Sequence, residues 1–123
     1  MKFSSIGFTT NDVLKLRAFY EAVFGGTAEG DEIHSCLCLD GIGFVFASAD
    51  MSKYHPTFGY ASAKSSDNIT ICVDVDDVDA EYQRLLTLDA NMLNEPTTHP
   101  WGARSFQFKD PDGNILNFRS VPK

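Results

Sequence analysis

An α+β fold in which one βαβββ module is written twice is predicted by three features of the chain. Ser5-Ile6-Gly7-Phe8-Thr9-Thr10-Asn11-Asp12-Val13 aligns with Thr70-Ile71-Cys72-Val73-Asp74-Val75-Asp76-Asp77-Val78 at a fixed offset of 65. Both copies alternate apolar with small or polar residues, the mark of a strand with two unlike faces, and both then enter a helical pattern. A pair of alternating stretches around a tight turn also occurs twice, at 35–46 and at 101–118. Together these features predict two modules forming a curled mixed sheet around a cleft, with the helices on the outside.

Each element has a local reason. Asn11-Asp12 and Asp76-Asp77 suit helix N-caps, because a short carboxylate or amide can accept from the free amides of the first turn. The first helix places Val13, Leu16, Phe19, Tyr20 and Val23 on one stripe, and Gly25-Gly26 should end it. In the second helix the stripe is Val78, Tyr82, Leu85 and Leu86, with Asn91 as the expected left-handed terminator. Three strands should follow each helix, at 27–31, 33–39 and 43–48, then at 92–95, 104–109 and 114–119. Asp110-Pro111-Asp112-Gly113 carries the chemistry of a tight turn between the last two.

Parity assigns the faces. Phe106, Phe108, Leu116 and Phe118 should point towards the helices, with Ser105, Gln107, Ile115, Asn117 and Arg119 opposite. Across both modules the face away from the helices should hold Ser5, Gly7, Ser35, Val45, Thr70, Cys72, Ser105, Gln107 and Asn117. Small side chains of mixed polarity suit a ligand cavity. His34 is expected on the helix side or at a sheet edge.

At 123 residues the chain suits a single domain, with module one at about 1–48, a linker at 49–67 and module two at about 68–123. A hydrophobic content of 43% with ten phenylalanines supports a packed core. The formal charge of −7, from 17 acidic and 10 basic residues, disfavours nucleic-acid and anionic-membrane partners and is compatible with a cationic ligand. Three cysteines point to reduced thiols. Cys36 and Cys38 share one strand face roughly 7 Å apart, beyond easy disulfide reach, with metal binding by C-x-C as the alternative. The first residues lack an apolar signal core and no segment approaches a membrane span, so a cytoplasmic location is expected.

Asn11-Asp12 leading to Phe19-Tyr20 and Phe24-Gly25, Asp77-Val78-Asp79-Ala80, and Trp101-Gly102 with Asp110-Pro111-Asp112-Gly113-Asn114 resemble the vicinal oxygen chelate superfamily. That group includes glyoxalase I, extradiol dioxygenases, and fosfomycin- and bleomycin-resistance proteins. The resemblance covers essentially the whole chain. Its metal enzymes take ligands from the first and last strands of each module, positions that correspond here to Ser5, Thr70, Val45 and Asn117. None of these is a histidine or carboxylate, so the resemblance implies the fold with no metal at those positions and no cofactor.

The function this implies is that of a metal-free protein similar to bleomycin-resistance proteins, holding a small organic molecule, aromatic or cationic, in the cleft between the modules. Its candidate ligand-binding residues are Ser5, Gly7, Ser35, Tyr54, Thr70, Cys72, Trp101, Ser105, Gln107, Asn117 and Arg119. The alternatives are a glyoxalase-like lyase, isomerase or dioxygenase with an atypical or displaced metal site, an enzyme using Gln107, His55 or a thiol without metal, and a dimeric scaffold or regulatory domain. His55 and His99 lie in loops that could also join a carboxylate at the cleft. The segment from Ala49 to Asn68 carries Tyr54, His55, Phe58 and Tyr60, and is read as a lid, ligand-stacking or interface segment. Superfamily members often pair, so a homodimer is expected. Asp74, Asp76, Asp77 and Asp79 form an acidic run that is not read as a cation site, since Asp76 and Asp77 are explained as helix-starting residues. The chain has no nucleophile elbow, phosphate loop or nucleotide fingerprint.

Overall fold

In the computed structural model, which describes residues 1–50, 52–65 and 67–122, the chain divides into two compact units, Met1–Lys64 and Ser65–Lys123. Met51 and Ser66, within the segment read above as a lid, lie outside the described residues. The α+β prediction stands: the described residues form two α-helices and two mixed sheets, neither of them closed. No helix among the described residues is long and apolar enough to cross a membrane.

The first unit runs β1 (Ser5–Thr10), α1 (Val13–Phe24), β2 (Glu29–Gly30), β3 (His34–Leu39), β4 (Ile42–Ser48) and a 3-10 turn at Pro56–Phe58. Its sheet has the order β1-β4-β3-β2, with β1 parallel to β4 and the other pairs antiparallel. α1 forms where expected. The Asp12 carboxylate accepts from the Lys15 amide at 3.0 Å, and Val13, Leu16, Tyr20 and Val23 are buried. Gly25 then ends it at φ 79°, where a side chain would be strained. The core beneath is aromatic: Tyr20 lies 5.3 Å from both Phe8 and Phe46, ring centre to ring centre.

The second unit runs β5 (Thr70–Asp74), α2 (Val78–Thr87), β6 (Asn91–Met92), β7 (Thr97–Thr98), β8 (Arg104–Lys109) and β9 (Ile115–Ser120). The order is β5-β9-β8-β6, with β7 also on β8 and only β5–β9 parallel. The Asp77 carboxylate caps α2 through the Ala80 amide at 3.0 Å, 65 residues after Asp12. Phe106, Phe108, Leu116 and Phe118 are buried against α2 as parity predicted, and burying each such side chain is worth roughly 1.5–3 kcal/mol. The turn at 110–113 forms with Gly113 at φ 89° and Asp110 accepting from the amides of Asp112 and Asn114, each at 2.9 Å.

Three local expectations are corrected. The strand expected at 92–95 is two short strands, β6 and β7, because Pro96 has no N–H to offer the ladder. Between them the Asn94 carboxamide takes the place of backbone, accepting from the Gln107 amide at 2.8 Å. The left-handed residue after α2 is Asp89, at φ 56°, while Asn91 begins β6. Leu86 is exposed rather than part of the buried stripe, since α2 meets its sheet through Val78 and Leu85.

Candidate functional site

On the first sheet, the strand pairing places Ser5 beside Gly43, Gly7 beside Val45 and Thr9 beside Ala47. These residues face away from α1, since their neighbours Phe8, Phe44 and Phe46 fill the core. The side chains are small, and a Cβ built on Gly7 would meet nothing within 4 Å. The chain after β4 returns over this floor. The Asp50 carbonyl accepts from the amides of Lys53 and Tyr54, each at 3.0 Å, and His55 caps the 3-10 turn, its Nδ1 accepting from the Thr57 amide at 3.1 Å. Tyr54 and Phe58 are thereby stacked 4.6 Å apart with a 26° tilt, and the His34 ring lies 5.8 Å from that of Tyr54. The result is a pocket of about 260 Å³, lined by Ser5, Gly7, Thr9 and Val45 together with Tyr54, Phe58 and Tyr60.

Two face assignments change. Ser35 pairs with Phe46 and is fully buried on the α1 side, so it does not belong to this pocket. Its hydroxyl donates to the Asp31 carbonyl at 2.8 Å and accepts from the Arg17 guanidinium at 3.0 Å, which satisfies a polar group in the core. His34, expected on the helix side or at an edge, pairs with Ala47 on the face opposite α1. Cys36 and Cys38 share that face, and burial pushes the Cys36 thiol above its ordinary value, with Cys38 and Glu29 adding to the effect.

On the second sheet, Gln107, Asn117 and Cys72 lie in one cross-strand row facing away from α2. Gln107 donates through Nε2 to Asn117 Oδ1 at 2.7 Å, and Asn117 Nδ2 reaches Cys72 Sγ at 3.6 Å. Gln107 Nε2 also lies 3.3 Å from Ser105 Oγ, which contacts His99 Nε2 at 2.8 Å. Trp101 stands 74% exposed with its ring parallel to His99, 4.7 Å away at 7°. Arg119 shares this parity, but its Nε donates to Asp74 at 2.8 Å. Thr70 is exposed at the start of β5, beside Ile115.

The expected residues therefore separate by unit. Ser5, Gly7 and Tyr54 line the first-unit pocket, while Cys72, Ser105, Gln107 and Asn117 form a hydrogen-bonded row on the second sheet. Thr9, Ala47 and Ser48 also line the pocket and were not anticipated, although Thr9 and Ala47 carry the parity of Gly7 and Val45. Asn94 was missed on the second sheet because its place depends on the break at Pro96.

A divalent ion does not fit the carried-over positions. In the first unit they supply a serine hydroxyl and a valine, in the second a threonine hydroxyl and the Asn117 amide, whose oxygen already accepts from Gln107. Zinc, nickel and iron sites are built from imidazoles, carboxylates or thiolates, and even the oxygen-loving divalent ions usually need carboxylates beside neutral oxygens. Among the described residues no three His, Cys, Asp or Glu side chains are grouped to hold a metal ion.

The fold has many counterparts. A glyoxalase/bleomycin resistance protein/dioxygenase family enzyme from Burkholderia phytofirmans PsJN superposes with a TM-score of 0.84 at 19% identity, over 99% of this chain and 100% of that one. A glyoxalase/bleomycin resistance protein/dioxygenase from Nocardioides gives 0.83 at 17%, covering 100% and 85%. TioX from Micromonospora sp. ML1 gives 0.73 at 18%, covering 99% and 100%. No curated protein matches the sequence. The profile of one family does match, along residues 2–118, and the chain belongs to that family, the Glyoxalase/Bleomycin resistance protein/Dioxygenase superfamily.

Proposed function

We propose that this protein binds a small, flat organic molecule, aromatic and preferentially cationic, in the pocket walled by Tyr54, and that it does so without a divalent metal ion or other cofactor. The observation that carries the reading is the open space above Gly7 beside the Tyr54–Phe58 stack. A pocket of about 260 Å³ suits a two-ring molecule. Its walls offer ring faces and its floor offers hydroxyls and small aliphatic groups. Ring faces attract both aromatic partners and cations, and the net charge of −7 raises the local concentration of a cation.

The test uses N-methylquinolinium, a flat cation whose fluorescence is quenched on stacking against electron-rich rings. Titration of the wild-type protein should quench it saturably. Tyr54→Ala should weaken binding by up to about tenfold, the scale of one aromatic contact. Gly7→Leu should abolish it by filling the floor, and Gly7 has no positive φ to be strained. Wild-type affinity in a folded Gly7→Leu protein would place the ligand elsewhere.

A further inference from the structure

The pocket wall is shaped through one acceptor atom of His55. This residue stands at φ −167° and ψ 140°, the extended backbone of an N-cap, and Pro56 follows with its φ fixed by the ring. His55 Nδ1 accepts from the Thr57 amide at 3.1 Å. The amides of Phe58 and Gly59 then donate to the carbonyls of His55 and Pro56, at 3.1 and 3.0 Å, which carries Phe58 against Tyr54. Among the described residues, the hydrogen bonds of residues 53–61 all stay within 50–61, and none reaches a strand. A 3-10 turn of three residues has little stability of its own. The cap therefore weighs heavily in whether this wall is formed.

With Nδ1 accepting, the neutral ring carries its proton on Nε2, and the next proton goes to Nδ1. A protonated imidazole has two donors and no acceptor, so it would meet the Thr57 N–H with another N–H. We infer that His55 gates the Tyr54 pocket: the neutral ring holds the wall of Tyr54 and Phe58, and protonation releases the turn and the bound molecule with it. The gate rests on the Tyr54 pocket being the binding site. Among the described residues no acidic or basic side chain forms an ion pair with His55. Its own segment carries Asp50, Lys53 and Lys64, and hydrogen bonds from Ser52 hold the Asp50 carboxyl below its ordinary value. β1 and β4 put no titratable side chain into the pocket. β3 brings His34, whose amide donates to the Asp31 carboxylate, and Cys36, whose thiol is pushed up by burial. His34 is the one other imidazole of this unit.

The full-length protein is titrated with N-methylquinolinium and with 2-naphthol, an uncharged flat molecule, at about pH 8 and about pH 5.5, on either side of imidazole protonation. Both affinities should fall about fivefold at the lower pH, the scale of one N-cap. Folded His55→Asn keeps an acceptor at the cap without a titratable ring, so its affinity should be the same at both values. His34→Gln should keep the wild-type fall. In the ligand-free protein the Thr57 amide resonance should move as pH falls, and should stay in place in His55→Asn. A loss confined to the cation would overturn the inference, since that is charge repulsion. So would a fall that persists in His55→Asn or vanishes in His34→Gln, or a stationary Thr57 resonance in the wild type. Saturable binding that is the same at both pH values overturns the gate alone, whereas no binding at either overturns the pocket reading and the gate together.

Discussion

Arg17 leaves α1 and spans to the strand edge, donating to the carbonyls of Gly30 and Ala28 at 3.1 and 3.2 Å as well as to Ser35. One side chain thus satisfies three acceptors around a fully buried hydroxyl. Arg17→Ala should lower unfolding stability by about 2 kcal/mol in urea titration, since the buried Ser35 hydroxyl and the part-buried Ala28 carbonyl lose a donor. A change within a few tenths of a kcal/mol would mean that water replaces the guanidinium. The same contact explains why Ser35 was placed on the wrong face from sequence. Ser35-Cys36-Leu37-Cys38-Leu39 alternates serine and leucine with cysteine, which is itself apolar, so periodicity leaves the inward set undecided. The polar hydroxyl pointed outward only while its partner, 18 residues away on a helix, was out of view.

The boundaries of whole elements were legible where the signal is local. Asp12 and Asp77 cap their helices through the third amide beyond, and the 110–113 turn forms from its own aspartate and glycine. Pro96 marks the split of the 92–95 strand in the sequence, whereas the part played by Asn94 was not legible, because it depends on the Gln107 amide of a partner strand. Between elements, Arg104 of β8 donates to both Asp79 oxygens on α2, at 2.9 and 2.7 Å. That hydrogen bonding, with the guanidinium charge, holds the Asp79 carboxyl below its ordinary value. A folded value below the unfolded one, about 3.9, means stabilisation that is full above that pH and lost as pH falls through the folded value. Asp31 and Asp50 are lowered too, by backbone amides and by Ser52 respectively, so acid should destabilise the protein through all three. The urea midpoint of wild type should exceed that of Asp79→Asn at about pH 6, and the gap should narrow as pH falls below about 4. A gap independent of pH would show that the Arg104 contact carries no charge dependence.

At the scale of the whole molecule, the doubled module was readable because a strand, a cap and a helix recur together at one spacing. The pocket was readable only in part. Ser5, Gly7 and Val45 follow from parity, whereas the wall depends on where the chain after β4 returns, and no periodicity records that path. The charge of −7 belongs to this scale as well. Affinity for N-methylquinolinium should fall as salt rises from about 0.01 to 0.15 M, because the screening length contracts from about 30 to 8 Å. Affinity for neutral quinoline should hardly change. Equal salt responses would remove net charge from the account.

The decisive measurement is N-methylquinolinium affinity before and after exhaustive EDTA treatment of protein purified without a polyhistidine tag. A pocket of aromatic rings and neutral hydroxyls predicts the same dissociation constant in both samples. Loss of binding after chelation, restored by manganese, nickel, zinc or iron, would contradict it.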